Sequence, residues 1–323
     1  MPAVVNMAVA FVFPGQGSQS VGMLKSLAES EPVVRETFTE ASEVLGYDLW
    51  QLCQAGPDEA LNATERTQPA MLAAGVSVWR VWRKRGGPAP TVMSGHSLGE
   101  FTALVCADSL DFRTAVELVR FRGRAMQEAV PVGQGAMAAV LGLDDADVEA
   151  ACIEAAQNEV VEAVNFNAPG QVVIAGHAAA VKRAIEVCKA KGAKRAIDLP
   201  VSVPSHSSLM KPAAERLRER LTQTEVRSPL VPEIYTVDVR KHGHPQGIRA
   251  ALVQQLFSPV RWAETVRRMV GSGVTHIVEC GPGKVLTGLN RRVERRKEIS
   301  VYAVDDGATI DEAITACWGT TDA

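Results

Sequence analysis

Apolar residues in this chain come as short unbroken runs separated by longer stretches of helical period. Val9 to Phe13 is the first such run, apolar at every position, and it predicts a short strand buried on both faces. The loop Pro14-Gly15-Gln16-Gly17-Ser18-Gln19 follows it. Helical patterns then extend to about Arg85, with breaks expected at Gly56-Pro57 and at Gln68-Pro69, and Gly86-Gly87-Pro88 ends the last of them. Thr91 to Gly95 reads as a second short strand, and a helix opens at Ser97. Strands and helices alternating through Gly-rich turns predict a parallel α/β sheet.

The middle of the chain has a different rhythm. Ala136 to Leu141, Val160 to Asn165, Val172 to Ala175 and Lys194 to Leu199 read as strands. Asp144 to Gln157 and Ala178 to Lys191 read as helices, and Asn167-Ala168-Pro169-Gly170 is a turn signal between the second and third strands. The resulting β-α-β-β-α-β order is the ferredoxin-like split motif. It places a small inserted subdomain at 132–203 and leaves 1–131 and 204–323 as a discontinuous larger one. The α/β pattern resumes with a strand from Thr275 to Cys280 and a turn at Gly281-Pro282-Gly283-Lys284, and the last dozen residues are expected to be loose.

Composition narrows the class. The 323 residues are 46% hydrophobic and 22% charged, with a net charge of −3, which argues against nucleic acid as the main partner. No window reaches the run of about 18 apolar residues that spans a bilayer, so no membrane partner is expected. The start, MPAVVNMAVAFVF, has no basic leader, and its apolar run ends in Pro14-Gly15 rather than a small-residue cleavage site. Six cysteines are scattered without a C-x-x-C pair, which suits neither a disulfide framework nor a zinc site and points to a reducing cytoplasm.

Three features carry chemistry. Gly95-His96-Ser97-Leu98-Gly99 matches G-x-S-x-G between a predicted strand and a predicted helix, the context of a nucleophile elbow. Ser97 is therefore the expected nucleophile of an acyl-transfer enzyme, above helix N–H groups that face a developing oxyanion. Among six histidines, His206 in Val203-Pro204-Ser205-His206 lies where the chain returns from the small subdomain and is the best-placed base. His96 is expected to be satisfied within its own turn, His242 and His244 to lie in a surface loop, and His276 to be packed in a strand. Third, Arg113 to Ala129 forms one amphipathic helix, yet Arg122 falls inside its apolar stripe of Ala115, Leu118, Val119, Met126 and Ala129. A buried guanidinium needs a partner: either an internal carboxylate, or a carboxylate at the far end of an acyl substrate. A dinucleotide reading of Gly15-Gln16-Gly17 fails, because Ser20 stands where the third glycine belongs, and no acidic third member of a triad can be assigned.

These motifs, with Arg122-Gly123, Asn165-Phe166-Asn167, Pro169 to Gly176 and Gly281 to Leu286, resemble in their order the bacterial malonyl-CoA:acyl-carrier-protein transacylases. The likeness runs from about Val9 to about Arg292. It implies an α/β-hydrolase-like large subdomain with a ferredoxin-like insert. It implies malonyl-CoA, a CoA thioester, as donor substrate, acyl carrier protein as acceptor, and no bound cofactor or metal. Ser97 would carry the malonyl ester, His206 would be the base, and Arg122 would hold the malonyl carboxylate. Gln16 and the backbone N–H of Leu98 would form the oxyanion hole, and the backbone carbonyl of Gln255 would orient His206 in place of an acid. Tyr235-Thr236 before Val237-Asp238-Val239, and Ser207-Ser208 after the histidine, depart from many relatives. A serine thioesterase, or a sibling transferase of polyketide synthesis or malonate decarboxylation, is the alternative.

Overall fold

The structure, a computed structural model, describes residues 4–201 and 203–320. One sheet has four parallel strands in the spatial order Ser300–Val304, His276–Cys280, Val9–Phe13, Val92–Gly95. The all-apolar run Val9–Phe13 is central and buried at every position, as a strand covered on both faces must be. Phe11, Phe13 and Val278 point into one core with Trp82, Phe101 and Leu104, while Ala10, Val12 and Ile277 point into another with Trp262 and Val266. The register pairs Phe13 with Gly95, so the loop after the first strand and the turn after the second emerge side by side. His96 N–H donates to the Phe13 carbonyl at 2.9 Å and ties the two turns together.

Sequence pattern did not mark the outer strand Ser300–Val304, which is short and only partly buried. Two further expectations are corrected. The break at Gln68-Pro69 does not occur: one helix runs Thr64–Lys84 with Pro69 in its second turn. A proline that early removes one hydrogen bond, and the burial of Thr67, Gln68, Pro69, Ala70 and Met71 outweighs that loss. Nor are the last residues loose as far as Thr320: a helix Gly307–Cys317 opens on a capping box at Asp306, and Trp318–Thr320 pairs with Val4–Asn6. Positions 321–323 lie outside the described residues.

The second sheet is antiparallel, in the order Val161–Ala168, Gln171–His177, Gly135–Leu141, Arg195–Asp198. The helices Asp145–Ala156 and Ala178–Ala190 cover one face around Val140, Val148, Ile174 and Val181. This is the ferredoxin-like order expected from the pattern. Its edge strand meets the larger part of the molecule directly: Phe166 N–H donates to Val260 O and Val260 N–H to Val164 O, each at 2.9 Å.

The helix Phe112–Ala129 packs against Thr64–Lys84 with Gly123 facing Thr64. A Cβ on Gly123 would lie 2.7 Å from the Thr64 carbonyl oxygen, so the helices meet this closely only because that position is glycine. The contact brings Arg122 against Gln68.

Candidate active site

Ser97 sits at φ 54°, in the left-handed region, on the turn between the strand Val92–Gly95 and the helix Gly99–Cys106. That conformation costs a non-glycine residue about 1–2 kcal/mol and persists only where packing over-determines it. The packing is backbone on backbone. A Cβ on Gly95 would lie 1.9 Å from the Gly99 carbonyl carbon, one on Gly99 2.0 Å from the Phe13 oxygen, and one on Gly15 2.4 Å from the His96 oxygen. The helix begins at Gly99 rather than at Ser97, and the Leu98 N–H donates to no acceptor among the described residues. It is a free donor at a helix N-terminus beside the serine.

His206 is buried, at φ 66°, and reaches Ser97 across 109 positions of sequence: its Nε2 lies 2.9 Å from Ser97 Oγ. Its Nδ1 lies 2.8 Å from the Gln255 carbonyl oxygen. A carbonyl only accepts, so Nδ1 carries the proton and Nε2 is left to accept from the serine hydroxyl. Burial, and then the Arg122 charge, push the His206 pKa down to about 3, which keeps the imidazole neutral. Four other histidines are engaged elsewhere, and His244 is exposed. His276 is packed in its strand against Tyr302, His242 pairs with Asp238, and the His177 ring accepts from Val160 N–H. The His96 ring is not satisfied within its own turn: its Nε2 meets Asn167 Oδ1 of the antiparallel sheet at 2.9 Å.

Arg122 is 1% exposed. Its Nη1 donates to Gln68 Oε1 at 2.9 Å, and its Nη2 to Gln255 Oε1 at 2.8 Å and to Ser97 Oγ at 3.2 Å. Its Nε has no partner, and the guanidinium lies over the Phe101 ring. Of the two partners expected from sequence, the internal carboxylate is not found in contact with it: its acceptors are two neutral amides and the serine hydroxyl. The charge that offsets it is Glu100, one side chain further away. Burial lowers the Arg122 pKa to about 10 and Glu100 opposes that shift, so the group stays charged at neutral pH.

Gln16 is exposed, and its Nε2 makes only a long 3.5 Å contact with Thr64 Oγ1. Its neighbour Gly15 abuts the His96 carbonyl, which puts the Gln16 backbone beside the elbow. Sequence reading missed three side chains. Gln68 lay hidden in the supposed helix break. Glu100, fully buried, could have been noticed as the one charge in the apolar helix run GEFTALVC. The resemblance assigns Gln255 a role for its backbone alone, yet its amide joins Arg122, Glu100 and the Ser97 carbonyl.

Fold and site together have the form of a serine acyltransferase, and residues 10–305 match the model of the acyl transferase domain family. The malonyl CoA-acyl carrier protein transacylase of Escherichia coli K12 is 60% identical over 284 residues, 88% of this chain and 92% of that one. The solved structure of the Coxiella burnetii malonyl CoA-acyl carrier protein transacylase superposes with a TM-score of 0.96 at 48% identity, covering 98% of this chain and 100% of that chain. A malonyl-transacylase solved in complex with a type II polyketide acyl-carrier protein gives 0.94 at 55% identity, over 95% of this chain and 99% of that chain. The chain belongs to the malonyl CoA-acyl carrier protein transacylases.

Proposed function

We propose that Ser97, His206 and Arg122 carry out malonyl transfer from malonyl-CoA to the phosphopantetheine thiol of an acyl carrier protein in two steps. His206 Nε2 takes the Ser97 proton as Oγ attacks the thioester carbonyl. The tetrahedral oxyanion accepts from the Leu98 N–H and a donor of the Gln16 loop, interactions typically worth about 3 kcal/mol each. Collapse breaks the C–S bond, His206 returns the proton to the CoA sulfur, and a malonyl ester remains on Ser97. The carrier thiol then attacks that ester as His206 takes its proton; the Ser97 Oγ–acyl bond breaks, His206 returns the proton to Oγ, and the malonyl thioester leaves on the carrier. The thioester is itself the activated donor, so neither step requires a bound redox cofactor. The Gln255 carbonyl supports the neutral His206 tautomer where a triad would use a carboxylate.

One observation carries the malonyl reading: a buried, charged guanidinium fork beside Ser97 Oγ that contacts only neutral groups. A substrate carboxylate is its natural complement. A thioesterase acting on neutral acyl chains has no use for that charge. Residues 132–203 are taken as a subdomain that brings Asn167 against His96 at this site. No helix among the described residues is long and apolar enough to cross a membrane, and the six free, buried thiols support a reducing cytoplasm.

Incubation with malonyl-CoA and no acceptor should leave one malonyl group on the intact protein by mass spectrometry. Ser97→Ala should show none, and His206→Ala should acquire it about 10²–10⁴ times more slowly. An adduct that survives Ser97→Ala would end the assignment.

A further inference from the structure

We propose that Glu100 is a positioning residue for substrate selection: through Gln255 it holds the Arg122 fork open for an acyl carboxylate. The inference rests on reading Arg122 as the carboxylate clamp. Glu100 is fully buried three residues after Ser97; burial raises its pKa to about 7 against the hydrogen bonds from Thr236 and Gln255 and the Arg122 charge, and in its carboxylate form its oxygens only accept. Oε1 accepts from Thr236 N–H at 2.8 Å and from Thr236 Oγ1 at 2.7 Å, and Oε2 accepts from Gln255 Nε2 at 2.6 Å. Gln255 Nε2 also donates to the Ser97 carbonyl at 2.9 Å. Both hydrogens of that amide are thereby used against groups that cannot donate. The amide oxygen is forced to face Arg122 Nη2, 2.8 Å away. The carboxylate form of Glu100 also supplies a counter-charge to the buried guanidinium without occupying its donors.

An amide at position 100 would reverse this arrangement. Its oxygen would stay with the fixed Thr236 N–H, leaving its NH2 against the Gln255 NH2. Relief requires the Gln255 amide to turn over, which sets an NH2 against Arg122 and an oxygen against the Ser97 carbonyl. The backbone contact from Gln255 to His206 survives that flip, so the base is untouched while the clamp is not.

The test uses full-length Glu100→Gln and Glu100→Asp proteins, with thermal melting to establish that each is folded. The reading is kcat/KM for malonyl-CoA and for acetyl-CoA with a purified acyl carrier protein. In Glu100→Gln the malonyl-to-acetyl ratio should fall by about tenfold or more. Glu100→Asp, which keeps the charge at shorter reach, should fall between it and the parent. A ratio within about twofold of the parent in both variants overturns the proposal, as does equal loss of both transfers, the mark of a merely structural role. If Glu100→Gln does not fold, Glu100→Asp decides on the same ratio. Arg122→Ala run alongside separates the two readings. If it abolishes the preference and the Glu100 variants do not disturb it, only the positioning role is lost. If it leaves the preference intact, the clamp itself is wrong.

Discussion

Arg122 is the residue on which the proposed malonyl selectivity rests. A guanidinium removed from water costs several kcal/mol unless it is satisfied, and here two glutamine oxygens, the Ser97 hydroxyl and the distant Glu100 charge satisfy it only in part, with Nε unpaired. The proposed substrate carboxylate, placed between Arg122 and Ser97, would complete it. Removing one partner of such a buried charged pair costs about 2–5 kcal/mol. Arg122→Ala should therefore lower kcat/KM for malonyl-CoA by roughly 30-fold to several thousand-fold, while acetyl transfer is retained or improved. Steady-state kinetics on the two thioesters checks this, and equal losses would mean a structural arginine. This residue was legible in the sequence because a charge inside an apolar stripe violates the helical period. Gln68 and Gln255 were not, since an uncharged amide on a helix breaks no pattern and only its neighbours give it a role.

At the scale of the element, the strand–turn–helix at Ser97 depends on glycines that no other residue can replace. A Cβ on Gly99 would be 2.0 Å from the Phe13 carbonyl oxygen, a contact with backbone that no side-chain movement relieves. Gly99→Ala should destabilise the protein by about 3 kcal/mol or more, within the range of severe strain, and should slow acylation as the elbow shifts. Gly288 provides the contrast. It lies inside the helix Val285–Val293 with open space where its Cβ would go. Gly288→Ala should stabilise by about 0.4–1 kcal/mol through the unfolded chain's lost freedom. Urea unfolding of both variants measures the difference. The elbow was legible because its glycine spacing is local, whereas the Pro69 helix was misread for the same reason: a local breaker rule has no knowledge of the burial that overrides it.

Across the whole molecule, the buried carboxyls beneath the site link stability to pH. Glu233 is fully buried, and the Tyr235 hydroxyl is the polar group beside its carboxyl. Burial, and then the neighbouring Glu100, raise its pKa well above 4.5. The folded state thus holds this proton more tightly than the unfolded chain does. Its contribution to stability is complete below the unfolded pKa and is lost as pH rises through the folded one. Glu233→Gln removes that dependence. As pH rises above the ordinary carboxylate range, the parent should lose up to about 1.4 kcal/mol per pH unit relative to the variant until the folded-state carboxyl ionises. Denaturant titrations at each pH read this directly, and parallel curves would show that Glu233 does not titrate there. By itself the sequence determined the succession of strands and helices, the place of Ser97 on its turn and the anomaly of Arg122, because apolar period and glycine spacing act over a few residues. Only the tertiary structure decided that His206 reaches Ser97 across 109 positions, that a Gln255 carbonyl 49 positions from His206 stands where an acid was sought, and that the chain is ordered through Thr320. Those outcomes depend on which distant surfaces pack together, and burial between remote segments leaves no periodic trace in either one.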